Sequence, residues 1–279
     1  MQRDDERQMA KRALAKSSCP YCGTIITAHQ AIRPGHCDAQ NCATVHSIRG
    51  HRERETQREQ EYTTRQDEAR TIFGAPLAQA ATAMGRDVDD VLVAVVPFQE
   101  APLEHLSEAR RAAFEIHIER IVNEAFAAGP DDISMLDYHP GTPEEPSIVA
   151  AGCTACQGFC CKRGGGTNHA LLTRQTIFYI RDNDPDLESE TVIQHYIDAL
   201  PDTSVQDACV YQSATGCTLQ RKWRSSVCNT FHCHDIHAMY DLTGGRVDIP
   251  LIIVGVGDQK RGKVIAFDAI SGVTKIEQG

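Results

Sequence analysis

Cysteine is concentrated in one stretch of this chain, and that concentration constrains the fold more than any other feature. Eight of the twelve cysteines lie between residues 153 and 233. Thiolates are the softest ligands that a protein offers, so such a cluster in an otherwise ordinary polar sequence favours Zn²⁺ or an iron–sulfur centre. These eight cysteines are Cys153, Cys156, Cys160, Cys161, Cys209, Cys217, Cys228 and Cys233.

The compartment decides how clustered cysteines are interpreted. The N-terminal residues alternate in charge without an apolar stretch, and no apolar run is long enough to span a bilayer. We therefore expect a cytoplasmic protein with no membrane partner, whose reduced thiols bind metal or carry out redox chemistry. Structural disulfides are the alternative.

The net charge of the chain limits which molecules it can bind. The formal net charge of −10 argues against broad charge-driven binding to nucleic acid, without excluding a local basic patch. Metal ions are the partners that the cysteines predict, and a protein partner stays open.

A separate group of four cysteines lies near the N-terminus, in two pairs separated by fourteen residues. A Cys-x-x-Cys-Gly turn points two sulfurs the same way, and two closely spaced pairs can complete a tetrahedral zinc site. The segment resembles a zinc ribbon or treble-clef knuckle, a class used for nucleic-acid, protein and purely structural roles. Because four thiolates complete such a site, we leave out His29, His36 and His46. The predicted zinc ligands are Cys19, Cys22, Cys37 and Cys42.

The sequence predicts an α+β protein. It combines a small N-terminal zinc ribbon, a small α/β segment, and an irregular cysteine-rich metal-binding domain with flanking helices and a C-terminal β-hairpin. At 279 residues, 41% of them hydrophobic, the chain can bury a substantial core. The expected segments are a polar arm (1–18), a zinc-ribbon-like module (19–50), a polar helical spacer (51–85), a strand–helix segment (86–128), a linker (129–150), a cysteine-cluster metal-binding domain (151–240) and a C-terminal β-hairpin extension (241–279).

Hydrophobic patterns place the main elements. Residues 91–96 form a β-branched apolar run closed by Pro97, which predicts a buried strand. Apolar residues at helical spacing predict a helix from about residue 104 to residue 128, and two more over 173–180 and 188–200. Two apolar runs near residues 250–256 and 263–268, separated by a turn-prone segment, predict a β-hairpin.

The order of the C-terminal motifs is more specific than their number. A C-x2-C-x3-CC run from Cys153 to Cys161 precedes Cys209, Gly216-Cys217-Thr-Leu, and Arg224-x3-Cys228-x4-Cys233. This order resembles the zinc- or iron-chelating cysteine-cluster family, the YkgJ-like group, over residues 153–235. The resemblance implies a metal or cluster site, and one branch of the family, similar to flagellin lysine methylases, implies iron and sulfur. The chain departs from the usual pattern at Ser225, where the family has Pro, and at Asn229, where it has Arg; anion contacts by that second Arg are therefore in doubt.

The vicinal pair of cysteines limits how the eight thiolates are shared. Adjacent side chains project in diverging directions, so Cys160 and Cys161 are not expected to bind one small ion together. Eight thiolates then suggest two sites, or one site with additional cysteines. Four thiolates suit zinc and iron–sulfur equally, and the family resemblance inclines the prediction towards iron–sulfur. Nearby apolar residues would shield a cluster or pack around zinc: Phe159, Trp223, Val227 and Phe231.

Several other residues near the cysteines are candidates for supporting roles. Arg224 could donate hydrogen bonds to cysteine sulfurs or lie over a charged cluster, with a surface salt bridge as the alternative. His232, His234 and His237 could support the metal without binding it, or be ordinary solvated or core histidines. Gly164-Gly165-Gly166 lacks the residues of a phosphate loop and predicts a flexible connection with positive φ. His169 is a reserve ligand.

The sequence is compatible with three functions. The first is a metal-binding protein with a structural zinc site and a cysteine-rich iron–sulfur or zinc centre used in redox, metal handling or assembly. The second is a cluster-containing enzyme that modifies protein side chains, which only the family resemblance suggests. The third is a zinc-ribbon adaptor for nucleic acid or protein, which the net acidity disfavours.

Overall fold

A computed structural model describes residues 17–32, 34–129, 131–142, 144, 146–259, 261–268 and 272–276. The polar arm predicted over residues 1–18 lies outside the described residues apart from its last two. The chain forms two compact units that divide between Thr63 and Thr64. Helices and strands both occur, as the predicted α+β class requires; the segment boundaries expected from sequence stay predictions.

The described residues contain nine α-helices and eight strands. The helices are α1 (Ala28–Ile32), α2 (Gln40–Ile72), α3 (Gly74–Ala83), α4 (Glu108–Ala127), α5 (Ser147–Cys156), α6 (Arg174–Asn183), α7 (Ser189–Asp198), α8 (Ser226–Thr230) and α9 (His234–Leu242). The strands are β1 (Leu92–Pro97), β2 (Leu103–His105), β3 (Thr203–Val205), β4 (Gln212–Ser213), β5 (Gly216–Cys217), β6 (Leu251–Val256), β7 (Gly262–Asp268) and β8 (Gly272–Ile276).

The first unit is mainly helical in its described part. Before α2 it contains one isolated bridge, between Ser18 and Ile25, and the short helix α1. The strands of a β-ribbon are therefore not seen in the described residues of this segment. Helix α2 begins at Gln40, eleven residues before the predicted spacer, and is supported on its polar surface by pairs such as Arg49 with Glu53 at 2.7 Å.

A four-stranded sheet organises the second unit. Its order is β1-β6-β7-β8, with β1 parallel to β6 and the other pairs antiparallel. The predicted hairpin is confirmed as β6 and β7, and β8 extends it. The predicted strand at residues 91–96 is confirmed as β1, shifted by one residue. Pro97 ends β1 without disrupting a central ladder because β1 is an edge strand.

Both faces of this sheet are buried, which explains why its strands are continuous apolar runs rather than alternating ones. One face packs against α5 and α9 through residues such as Ile148, Ile236 and Met239. Helix α3 contacts β7. Helix α5 begins at Ser147, inside the segment expected to be a linker, because Ile148 and Val149 bury their side chains against the sheet.

A second core lies around α4. Ser107 caps this helix by accepting a hydrogen bond from the backbone N–H of Arg110 at 3.3 Å, so the helix begins at Glu108 rather than near residue 104. The residues just before it pair as β2 with β3. The predicted helices at 173–180 and 188–200 are confirmed as α6 and α7, which pack against α4.

The C-terminal cysteines are shared between these two cores. Cys156 is buried in the sheet core, with Cys153 and Cys233 packed against it. Cys209 is buried in the helical core, with Cys161 and Cys217 packed against that core. The cysteine-bearing segments are therefore anchored by packing from two sides.

Candidate metal centres

The N-terminal cysteines form a compact four-sulfur group. The sulfur atoms of Cys19, Cys22, Cys37 and Cys42 all lie within 4.8 Å of one another, and those of Cys22 and Cys37 are 3.6 Å apart. Zinc–sulfur bonds of about 2.3 Å in a tetrahedron place sulfurs roughly 3.8 Å apart. The group thus has the dimensions of a single metal ion with four thiolate ligands.

Two kinds of local structure build this group. The first pair lies on a tight turn, where the Cys19 N–H donates to the Thr24 carbonyl at 2.7 Å and Gly23 takes a φ of +75° that favours glycine. The second pair straddles the start of α2, with Cys37 before the helix and Cys42 in its first turn. The sequence pattern predicted a second turn here, but the long polar helix extends back to Gln40.

The pKa values of two of these thiols, Cys19 and Cys42, are shifted in opposite directions. Burial raises the pKa of Cys19, but hydrogen bonds from the surrounding backbone outweigh this and lower the pKa to about 6. The hydrogen bond with Cys22, and then burial, raise the pKa of Cys42 to about 12. Without a metal, some thiols of the group are therefore ionised and others protonated. A bound metal cation would displace the remaining protons.

His36 and His46 pack together in this module and are not members of the four-sulfur group. His36 is buried, with Nδ1 2.6 Å from the carbonyl oxygen of Cys37. Its ring lies 4.8 Å from that of His46, which in turn hydrogen-bonds the Tyr21 hydroxyl at 3.0 Å. These contacts pack the module around its sulfurs, as expected when four thiolates already complete a site.

The C-terminal cysteines are arranged in a different way. Seven of them line one cavity of about 200 Å³, whereas Cys233, which caps the start of α9, is not part of its wall. Among the residues that the structure describes, only the N-terminal four form a group placed to hold a metal ion, and none of these eight belongs to it. The cavity-lining cysteines are Cys153, Cys156, Cys160, Cys161, Cys209, Cys217 and Cys228.

Five short structural segments hold these cysteines. Helix α5 carries Cys153 and Cys156 and ends at Gln157 in the left-handed conformation, after which a 3₁₀ turn places Cys160 and Cys161. The Cys209 N–H donates to the Cys161 carbonyl at 3.1 Å, which ties the loop after β3 to that turn. Cys217 lies on β5 and Cys228 on α8.

The vicinal cysteines Cys160 and Cys161 are hydrogen-bonded to each other through their side chains. A hydrogen bond with Cys161 lowers the pKa of Cys160 to about 7, and the same contact raises the pKa of Cys161. Charges on Cys209 and Cys217 act on Cys161, and a charge on Cys160 acts on Cys156 and Cys233. Cys228 responds to charges on Cys160 and Cys217 alike. Cys228 therefore links the neighbours of Cys160 to those of Cys161, and the expected division of the thiols between two centres stays a prediction.

Arginines stand close to three of the thiols. Arg224 lines the cavity, its Nε donates to the Leu219 carbonyl at 2.8 Å, and its charge opposes the effect of burial on the pKa of Cys228. Arg163 acts in the same way on Cys160. Arg110, fixed by its bond to the Ala208 carbonyl at 2.8 Å, does so for Cys209. Sequence reasoning missed the last two, although Arg163 lies two residues after the C-x2-C-x3-CC motif.

The two departures from the usual cysteine-cluster pattern have structural roles. Ser225 caps α8 by accepting a hydrogen bond from the Cys228 N–H at 3.3 Å. Asn229 is buried and donates to the carbonyls of Pro140 and Arg221 at 2.9 and 3.0 Å. Neither residue offers a cation, so positive charge at this site comes from the arginines.

The glycine run is not a flexible connection, which corrects the prediction. Gly164 and Gly165 are buried between 3₁₀ turns, and of the three glycines only Gly166 has positive φ, at +56°. A Cβ on Gly165 would overlap the Asp207 carbonyl oxygen and lie 2.9 Å from the Ala208 carbonyl carbon. These glycines are therefore needed for close packing of the loop that carries Cys209.

The C-terminal histidines have separate positions. His232 lines the cavity, and its ring lies 5.9 Å from that of His237. His234 and His237 are exposed on α9. His169, considered as a reserve ligand, instead stacks on His117 with ring centres 4.3 Å apart, while its neighbours Ala170 and Leu171 line the cavity.

No family model, no curated protein and no solved structure matches this chain. None of the helices in the described part of the chain is both long and apolar enough to cross a membrane. Function therefore rests on the geometry and chemistry of the two cysteine sites.

Proposed function

We propose that this protein binds metal at two sites of different design, a structural Zn²⁺ at the N-terminal cysteines and a redox-active iron–sulfur centre in the C-terminal cavity. The observation that carries the proposal is the contrast between the two sites. The four N-terminal sulfurs are spaced as ligands of a single ion would be, whereas seven C-terminal cysteines line a cavity of about 200 Å³.

The size of the cavity favours a cluster over a single ion. One water molecule needs only about 10–15 Å³ of such space, so the cavity far exceeds what a lone zinc ion would fill. Clusters of iron and sulfide are held by surrounding thiolates. When bound, such a cluster supplies one-electron redox chemistry.

The surroundings of the cavity suit a negatively charged centre. Arg163 and Arg224 line it, and the charge of Arg110 acts on Cys209, so several thiolates can ionise together at lower electrostatic cost. Buried apolar side chains such as Val149 and Ala170 form part of the wall and limit its contact with water. The order of motifs that resembles the cysteine-cluster family supports the same assignment.

Anaerobic metal and sulfide analysis tests both sites at once. We expect wild-type protein to contain zinc, iron and sulfide and to absorb near 400 nm. Cys156→Ala should lose iron, sulfide and colour while keeping zinc, because Cys156 lines only the C-terminal cavity. Cys19→Ala should lose zinc and keep the cluster, so each variant serves as the control for the other.

Two results would overturn the assignment. Colourless wild-type protein whose zinc falls in both variants would make the C-terminal centre a zinc site. Protein without iron or zinc, in which every thiol reacts freely under native conditions, would remove metal binding altogether.

A further inference from the structure

Acidic residues are missing from the two segments that supply the cavity cysteines. Residues 146–181 and 208–234 contain no Asp or Glu, although the chain has 38. The same segments contain seven Lys and Arg, and all eight C-terminal cysteines lie within them. Because the whole chain has a net charge of −10, these seven positive charges leave −17 on the remainder.

Folding brings part of this positive charge to the cavity. Arg163 and Arg224 line it, and no carboxylate does so among the residues that the structure describes. The nearest acidic residue after the second segment is Asp235, whose carboxylate is held by two hydrogen bonds from Arg65, at 2.6 and 2.8 Å. The basic character of the cavity is therefore not cancelled by that neighbour.

Apolar side chains are exposed beside the cysteines. Phe159, Val227 and Phe231 have exposed fractions of 48%, 53% and 48%. Val227 and Phe231 belong to the cavity wall, and the N–H of Phe159 donates to the Cys156 sulfur at 3.2 Å. The ammonium of Lys162 lies over the Phe159 ring at 5.6 Å. We call Phe159, Lys162, Arg163, Val227 and Phe231 the mouth surface.

We propose that the mouth surface docks a small acidic electron-transfer protein. The inference rests on the proposed function, since it requires a redox centre in the cavity. One electron would pass from the reduced partner to the oxidised cluster, which leaves the partner oxidised and the cluster reduced, with no bond made or broken. Transient redox contacts are small, and complementary charge steers their formation.

Charge complementarity selects an acidic protein over nucleic acid. A long polyanion that crossed the mouth surface would continue over a molecule whose other residues sum to −17, and would be repelled there. A compact acidic protein needs to contact only the mouth. Its apolar residues would meet Phe159 and Phe231, which a phosphate backbone would leave exposed to water.

The test measures binding of an acidic plant-type [2Fe–2S] ferredoxin to the anaerobically purified, full-length holoprotein. We expect affinity that falls as salt rises, and a Lys162→Glu variant that binds at least about fivefold more weakly. The matched control is Arg86→Glu, at an exposed arginine after α3 that does not line the cavity; its affinity should stay within about twofold of wild type. Phe159→Ala should also weaken binding.

Iron and sulfide content measured in each variant separates this proposal from the assignment of the centre. Wild-type protein without a cluster would refute the proposed function. Intact clusters with equal ferredoxin affinity in Lys162→Glu and Arg86→Glu would refute the docking surface alone. Tighter binding of a single-stranded RNA oligonucleotide than of ferredoxin, lost in Lys162→Glu, would overturn it in favour of nucleic acid.

Discussion

Gly165 packs directly against the backbone of the loop that carries Cys209. The structure leaves no space for a Cβ there, because Asp207 and Ala208 occupy it. This contact, together with the hydrogen bond between Cys209 and Cys161, sets the distance between two parts of the cavity wall. The close contact between these two backbone segments thus positions the thiols of Cys161 and Cys209, which are almost fifty residues apart in sequence.

We expect Gly165→Ala to lower the free energy of unfolding by about 1–3 kcal/mol, since an added methyl must push two segments apart. Iron content should fall with it. Urea denaturation with metal analysis measures both. Gly74→Ala is the control, because nothing lies within 4 Å of a Cβ there and its φ is not positive. It should keep the iron content and leave the free energy of unfolding unchanged or raise it by up to about 1 kcal/mol, since alanine restricts the unfolded chain. Equal stability of the two variants would contradict the tight packing of Gly165.

Helix α9 begins immediately after Cys233 and is fixed at its first turn by an ion pair. Asp235 is buried, and Arg65 of α2 donates to both of its carboxylate oxygens. An acidic residue in the first turn also interacts favourably with the helix dipole. The position of Cys233 therefore depends on a residue far away in sequence, which no local pattern near the cysteine indicates.

Arg65→Ala should destabilise the protein by about 2–4 kcal/mol, because it leaves a buried carboxylate without its partner. The control is Arg70→Ala, whose pair with Asp67 spans 3.6 Å between exposed side chains; it should cost less than about 0.5 kcal/mol. Equilibrium denaturation in urea compares them. Similar midpoints for the two variants would show that the Asp235 pair adds no stability.

At the level of the whole molecule, the chain has two compact units with unequal cores. The sheet and α4 cores belong to the unit that begins at Thr64. The core around the N-terminal cysteines consists of Cys19, Cys37, Cys42 and Ile26. Such a small module cannot bury enough apolar surface by itself, so metal binding should supply its folding free energy.

A Cys19→Ser/Cys22→Ser variant should lose hydrogen-exchange protection over residues 19–42 while β6 and β7 keep theirs. The reason is that half of the metal ligands are removed from a module held mainly by metal, whereas the sheet has its own buried core. Native-state hydrogen exchange with mass spectrometry measures both regions in one experiment. Loss of protection in the sheet as well would show that the two units unfold together.

Much of the secondary structure could be predicted because its causes are local. The apolar run of β1, the hairpin of β6 and β7, and the periodicity of α4, α6 and α7 are all visible in short windows of sequence. The start of α2 was missed because its polar residues carry no apolar stripe to mark the boundary. The pairing of β1 with β6, more than 150 residues apart, has no local signal.

The sequence by itself identified the four N-terminal cysteines as a group that could bind a metal ion. Ligand chemistry belongs to the side chain, and the spacing of these pairs is close to that of a four-sulfur zinc site. Only the tertiary structure decided that seven of the other eight cysteines line one cavity. The physical reason is distance along the chain. Sulfurs on α5, β5 and α8 are placed by the packing of two cores, and by glycines and arginines whose partners lie far away in sequence.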